Sequence, residues 1–160
     1  MTTRADYTDD EWAGLVRAPI LAGAYVALAD PSPLGFIGEI QGLVRGMTEQ
    51  PAPLAAADLV GGVVADFQAK GGGTEGLLGS EPHGRAPRGG GTLEQLSLDL
   101  GVLDTKSTPD EARAFKEWLV SMAFAVANAS KEGGLLGMGG VEVSDKEEAA
   151  LDALRRHLLG

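Results

Sequence analysis

The sequence predicts an all-α protein, with about six helices in one compact bundle spanning residues 1–160. Two observations carry this. Four capping boxes (Thr8-Asp9-Asp10-Glu11, Thr92-Leu93-Glu94-Gln95, Thr108-Pro109-Asp110-Glu111 and Ser144-Asp145-Lys146-Glu147) each precede apolar residues at helical spacing. Only Val141-Glu142-Val143 has a strand-like pattern, and it is too short to found a sheet.

The first helix opens at Thr8 and carries Trp12, Leu15, Val16, Ile20 and Ala24 on one face. Pro19 falls inside it. A proline has no N–H to give and its ring crowds the carbonyl four residues back, so a kink or a split is expected there. Asp30-Pro31-Ser32-Pro33 ends this helix, and Ser32 with Pro33 caps the next. Phe36, Ile37, Ile40, Leu43, Val44 and Met47 form the second apolar stripe. A third helix is expected from about Leu54 to Ala69, with Val60, Val63, Val64 and Phe67 inward. Gly61-Gly62 lies in its middle. These glycines either mark close contact with another helix or split this one.

Residues 71–91 hold nine Gly and two Pro. No regular element is expected from that composition, which reads as a flexible insertion between two halves. Beyond it, Leu93, Leu96, Leu100 and Leu103 follow the second box. The third box opens a long helix with Phe115, Leu119, Met122, Val126 and Ala129 on one face and Trp118 beside them. That helix is expected to stop at Gly133-Gly134. The last helix turns Leu151, Leu154 and Leu158 inward, and Arg155, Arg156 and His157 suit the negative end of its dipole. The expected core is Trp12, Leu15, Ile20, Ile37, Ile40, Leu43, Val63, Phe67, Leu96, Leu100, Phe115, Leu119, Met122, Val126, Leu151 and Leu154.

The halves share a helix–glycine-turn–helix grammar. Trp12 leads to Leu34-Gly35-Phe36-Ile37-Gly38, and Trp118 to Leu136-Gly137-Met138-Gly139-Gly140, with 22 and 18 residues from Trp to Leu. This is an internal pseudo-repeat, produced either by duplication or by the shared grammar alone.

Composition excludes several function classes. The net charge is −10, shared as −5 by residues 1–91 and −5 by residues 92–160. Such a surface repels a phosphate backbone, so no nucleic-acid partner is expected. There is no Cys, which removes disulfides, thiolate metal sites and cysteine nucleophiles. The apolar runs Ala18–Ala29 and Leu119–Ala129 fall short of the ~20 residues a membrane span needs. The start, MTTRADYTDDEW, has no apolar signal region, so a cytoplasmic location is expected.

No catalytic constellation is visible, and no enzyme activity or cofactor is expected. His83 lies in the insertion and His157 close to the last residue, so neither position promises a fixed general base. Gly71, Gly73 and Gly76 satisfy GxGxxG but lack the strand and helix that a dinucleotide site requires. Gly133–Gly140 could present backbone N–H groups to an anion. However, no Lys-Ser/Thr follows and Glu132, Glu142 and Asp145 crowd it with negative charge, so it reads as a connector. The acids near Asp30, Glu39 and Asp145 leave a metal role open, although acids at a helix start are ordinary cap partners.

The remaining candidates are apolar side chains on the two glycine turns: Phe36 and Ile37 on one, Leu135, Leu136 and Met138 on the other. They either plug the bundle end or form a patch for a protein partner or for self-association. The expected function is therefore a non-enzymatic interaction or assembly module. The alternative is a small-ligand or metal-binding bundle with its site near these turns.

Gly140-Val141-Glu142-Val143-Ser144-Asp145-Lys146-Glu147 resembles the turn of TerB-like (tellurite-resistance) helical proteins, where a hydrophobic-Ser-x-x-Glu run follows Ala-Asp-Gly and opens a helix. Ala29-Asp30 with Glu39 is a looser match. Gly139 stands where that motif has Asp. The resemblance covers about 30 residues and implies an all-helical, non-enzymatic, stress-associated module.

Overall fold

The computed structural model describes residues 1–30, 35–70, 90–132 and 143–160, with side chains for all of these except 35–41, 90 and 130–132. Every regular element among them is helical. Six helices of eleven residues or more form the bundle: α1 (Asp9–Ala27), α2 (Gly35–Glu49), α3 (Ala57–Ala69), α4 (Gly90–Leu100), α5 (Pro109–Glu132) and α6 (Asp145–Leu159). A single α-helical turn at Leu103–Lys106 and 3-10 turns at Arg4–Asp6 and Leu54–Ala56 complete it.

α1 is the hub. It packs against α5, α4, α2, α6 and α3. Its middle is therefore buried on almost every side: Ala18, Pro19, Leu21, Ala22, Gly23 and Val26 join Trp12, Leu15 and Val16 out of water. Of the kink or split expected at Pro19, the split does not occur: α1 runs unbroken through it. Pro19 itself is buried, so tertiary contact offsets the hydrogen bond that the Leu15 carbonyl lacks. Ile20, expected in the core, is only half-buried, because it continues the stripe on which Asp9, Ala13 and Arg17 are exposed rather than the face of Trp12 and Leu15.

Side-chain contacts set the directions of the other helices. Thr2 meets Glu111 and Glu11 meets Lys106, while Gly23 abuts Val126, so α1 and α5 run parallel. Gly42 faces Ala129 and Gly46 faces Met122, so α2 is antiparallel to α5. Arg17 bonds Asp99 on α4, and Lys146 at the start of α6 bonds Asp30 just after α1. The end of α1, the start of α2, the end of α5 and the start of α6 thus share one end of the bundle.

The core holds Leu43, Met47, Leu59, Val63, Phe67, Leu96, Leu100, Leu103, Phe115, Trp118, Leu119, Met122, Val126 and Leu154. Trp118, expected beside the inward face, is fully within it at 2% exposure. Leu151 is half-buried rather than buried. Ile37 and Ile40 lie on α2, with side chains outside the described set.

The capping boxes divide. Thr8 and Ser144 make complete ones with Glu11 and Glu147. Thr92 is not an N-cap residue: α4 begins two residues earlier, at Gly90, and Thr92 is a buried residue within its first turn. Thr108 accepts from the N–H of Glu111 at 3.3 Å, but the Glu111 carboxylate turns to Thr2 instead of closing the box. α3 is continuous across Gly61-Gly62. Gly62 is a close contact, since a Cβ there would lie 2.9 Å from the Trp12 ring, whereas Gly61 faces open space. The caps Ser32 and Pro33, and residues 71–89 of the expected insertion, lie outside the described residues.

Candidate functional site

α2 and α5 approach each other closely. A Cβ on Gly42 would stand 2.4 Å from the Ala129 Cβ and 3.2 Å from the Ala125 carbonyl oxygen, and one on Gly46 would touch Met122 and Ala125. Only side chains this small let the two backbones meet. Their smallness also leaves a trough on the outer surface, about 270 Å³ in volume. Gly42, Arg45, Gly46 and Glu49 of α2 line it with Gln50 just after that helix, and Phe124 and Asn128 line it on α5. Phe124 is 54% exposed, and the other Phe side chains described, Phe67 and Phe115, are core residues. The trough's two ionic residues, Arg45 and Glu49, are of opposite sign on a chain of net charge −10.

Of the residues singled out on the glycine turns, Phe36 and Ile37 occupy the first turn of α2, with side chains outside the described set. Leu135, Leu136 and Met138 lie outside the described residues. The helix directions do place the flanks of both turns at the same end of the bundle. Phe124 was legible only as an aromatic off the inward face of α5; the phase of Phe115, Leu119, Met122 and Val126 leaves it outside.

The acids near the turns are occupied or exposed. Asp30 accepts from Lys146 at 3.0 Å. That bond, aided by Ser144, holds the Asp30 carboxyl below its ordinary range. Asp145 is exposed in the first turn of α6, and the Glu39 side chain is outside the described set. Among the described residues no group of three His, Asp or Glu side chains could hold a metal ion, and no helix is long and apolar enough to cross a membrane.

A second groove, about 190 Å³, contains Ser97, Asp104, Lys116 and His157. His157 Nε2 is 2.5 Å from Ser97 Oγ. Yet Ser97 donates to the Leu93 carbonyl at 3.1 Å, and Asp104 pairs with Lys116 at 3.2 Å rather than with the imidazole. A nucleophile needs its base held by a third group. None of the described residues holds this ring, so the pair ties α4 to α6.

Three polar clusters pin the hub. Arg17 grips Asp99 through Nε at 2.9 Å and a terminal nitrogen at 2.7 Å, and Gln95 adds a third bond to the buried carboxylate. The bond to Asp99 raises the pKa of Arg17. Lys106 reaches Glu11 at 2.6 Å and, with the Thr8 backbone N–H, lowers the Glu11 pKa to about 2. Around Glu111 the hydroxyls of Thr2, Tyr7 and Ser107 form a network over the start of α5.

No protein-family model, curated protein or solved structure matches this chain.

Proposed function

We propose that this chain is a non-enzymatic helical assembly module of the cytosol whose partner is a second copy, docked through the α2–α5 trough and the adjoining bundle end. One observation carries the reading. A half-exposed aromatic, Phe124, stands beside a glycine-lined trough on the same face. A face that holds both a knob and a hole is self-complementary, so a twofold axis lets each copy insert its Phe124 beside the other's Gly42 and Gly46. Charge is compatible with the same partner: two molecules of net charge −10 repel, and this patch carries one charge of each sign, Arg45 and Glu49, so that it adds no net repulsion of its own. The apolar residues that the sequence offers for an interface, Phe36, Ile37, Leu135, Leu136 and Met138, are part of this proposal. A stress-associated role, implied by the TerB-like turn, belongs to the same proposal.

Sedimentation alongside thermal melting tests it on wild type, on Phe124→Ser and on the double variant Leu136→Ser with Met138→Ser. The wild type is expected to sediment as a dimer, and Phe124→Ser as a monomer of nearly unchanged melting temperature, since the ring is already half in water. The double variant separates the two readings of the turns: weaker association at constant melting temperature marks an interface, and a lower melting temperature at constant association marks a plug. A monomeric wild type refutes self-association.

A further inference from the structure

Glu111 is a carboxylate that is 1% exposed. Its Oε1 accepts from the Thr2 backbone N–H at 2.6 Å and from the Thr2 hydroxyl at 3.0 Å. Its Oε2 is buried and has no partner among the described residues. Asp99, the comparable buried acid, receives a two-pronged Arg17 and a Gln95 amide. A buried acceptor left unpaired forfeits its bonds to water, and a charged one forfeits more. Glu111 is therefore held in its present position at a cost.

A second position is built into the same turn. Glu111 is the third residue of α5, counted from the cap Thr108. From that place Glu11 reaches back to the Thr8 N–H at 2.7 Å, and Glu147 to the Ser144 N–H at 2.9 Å. Half of the same box already stands at α5, since Thr108 Oγ1 accepts from the Glu111 N–H at 3.3 Å. The Thr108 backbone N–H meets no acceptor among the described residues, and Thr108 is exposed. Rotation about the Glu111 side-chain bonds alone takes the carboxylate to that N–H and within reach of water. What keeps it inside is Thr2, whose hydroxyl also meets Tyr7 Oη at 2.8 Å and Ser107 Oγ at 3.3 Å. Met1 and Thr3 on either side are exposed, so this stretch is fastened through Thr2.

We infer that Thr2 is a releasable strap over the start of α5 and that Glu111 is its catch, an acceptor with two positions. With the strap closed the carboxylate holds Thr2. With the strap open it swings out and closes the capping box of α5. The exchange replaces two bonds to Thr2 by one to Thr108 and returns Oε2 to water, so the two states lie close in energy. Opening uncovers the hydroxyls of Tyr7 and Ser107. The first turn of α5 is capped more fully in the open state, so the strap lifts without unravelling the helix that carries Phe124.

Amide hydrogen exchange, resolved by NMR on the full chain, tests this. Thr2→Pro removes both donors to Glu111, the N–H and the hydroxyl, and so opens the strap. The Thr108 amide is expected to exchange about fivefold more slowly in this variant than in wild type, the factor that a capping bond of ordinary strength supplies. Adding Glu111→Ala to Thr2→Pro should return the Thr108 rate to its wild-type value. An unchanged Thr108 rate in Thr2→Pro overturns the inference, and so does a slowing that survives the loss of the Glu111 carboxylate. A Thr2→Pro chain that does not fold overturns it as well, because a strap that lifts freely is not essential to the fold.

Discussion

Replacing Gly42 with Ala isolates the contact on which the α2–α5 pair rests. In a helix interior the change should stabilise by about 1 kcal/mol, because Ala loses less backbone freedom on folding. Here the new methyl would lie 2.4 Å from Ala129 Cβ and 3.2 Å from both the Ala125 carbonyl oxygen and Val126 Cα. Carbon atoms prefer about 3.5–4.0 Å. None of these neighbours can rotate away, since they are a methyl stub and backbone, so the helices must move apart. Overpacking of this kind costs about 1–3 kcal/mol, and rigid neighbours favour the upper part of that range. The net expectation is a loss of about 1–2 kcal/mol, or a melting temperature lower by roughly 2–8 °C for a domain of this size. Gly61→Ala is the internal control. A Cβ there meets nothing within 4 Å, so the same substitution should gain about 0.4–1 kcal/mol. Gly62→Ala should lose stability again, because its Cβ meets the Trp12 ring at 2.9 Å and that ring is fixed by a 2.7 Å bond from its Nε1 to Asp66. Urea unfolding with a common slope reads all three. A Gly42→Ala protein as stable as wild type, or a Gly61→Ala protein less stable, would refute the close-packing argument.

Two further perturbations probe the hub. Asp99→Ala removes the acceptor that joins α1 to α4 and should cost about 1–3 kcal/mol by urea unfolding. It should stay below the value for a fully buried pair, because the Arg17 side chain is 47% exposed and can return to water; a change below about 0.5 kcal/mol would show that the pair holds nothing. Acid should weaken the Glu11 anchor in a defined window: its carboxyl titrates near 2 when folded and near 4.5 ordinarily. A depressed pKa stabilises above the ordinary value, and the effect fades as pH falls from about 4.5 toward 2. Lys106→Met removes the main cause of the shift, so its melting temperature should lie below wild type at pH 6 and approach it near pH 2. A gap of the same size at both pH values would place the role of Lys106 elsewhere, in its contact with the Tyr7 ring or the Asp6 carbonyl.

The helices were legible because an apolar period marked each of them, and a cap residue marked all but the third. The reading slipped where the letters of a cap were present but its geometry was not. Thr92 matched a capping box in letters, but Gly90 and Gly91 ahead of it were read with the insertion, and the helix in fact takes them in. Glu111 matched another, and its carboxylate went instead to a residue 109 positions away. A capping box is a local bargain between a side chain and nearby N–H groups. Sequence spacing cannot show when a distant donor offers a better one. The hub position of α1 was hidden for a related reason: burial over most of its circumference leaves only a narrow exposed stripe, Asp9, Ala13 and Arg17, with apolar Ile20 and Ala24 continuing it, so the phase is hard to read. Phe124 was visible as a residue, but its meaning came from Gly42 and Gly46 lying opposite, which only the pairing of α2 with α5 reveals.

The hub also constrains where function can sit. α1 is spent on the interior, and α5 gives one face to it. α4 and α6 are tied across their exposed edges by Ser97 and His157, and to α1 by Asp99 and by Lys146 with Asp30. α2 contacts mainly α5, and through small side chains that leave its outer wall open beside Phe124. A partner docking over Arg17, Lys106 or Lys146 would have to break an ion pair that joins these elements. Phe124→Ser should therefore separate binding from folding, whereas a substitution at any of those three anchors should disturb both.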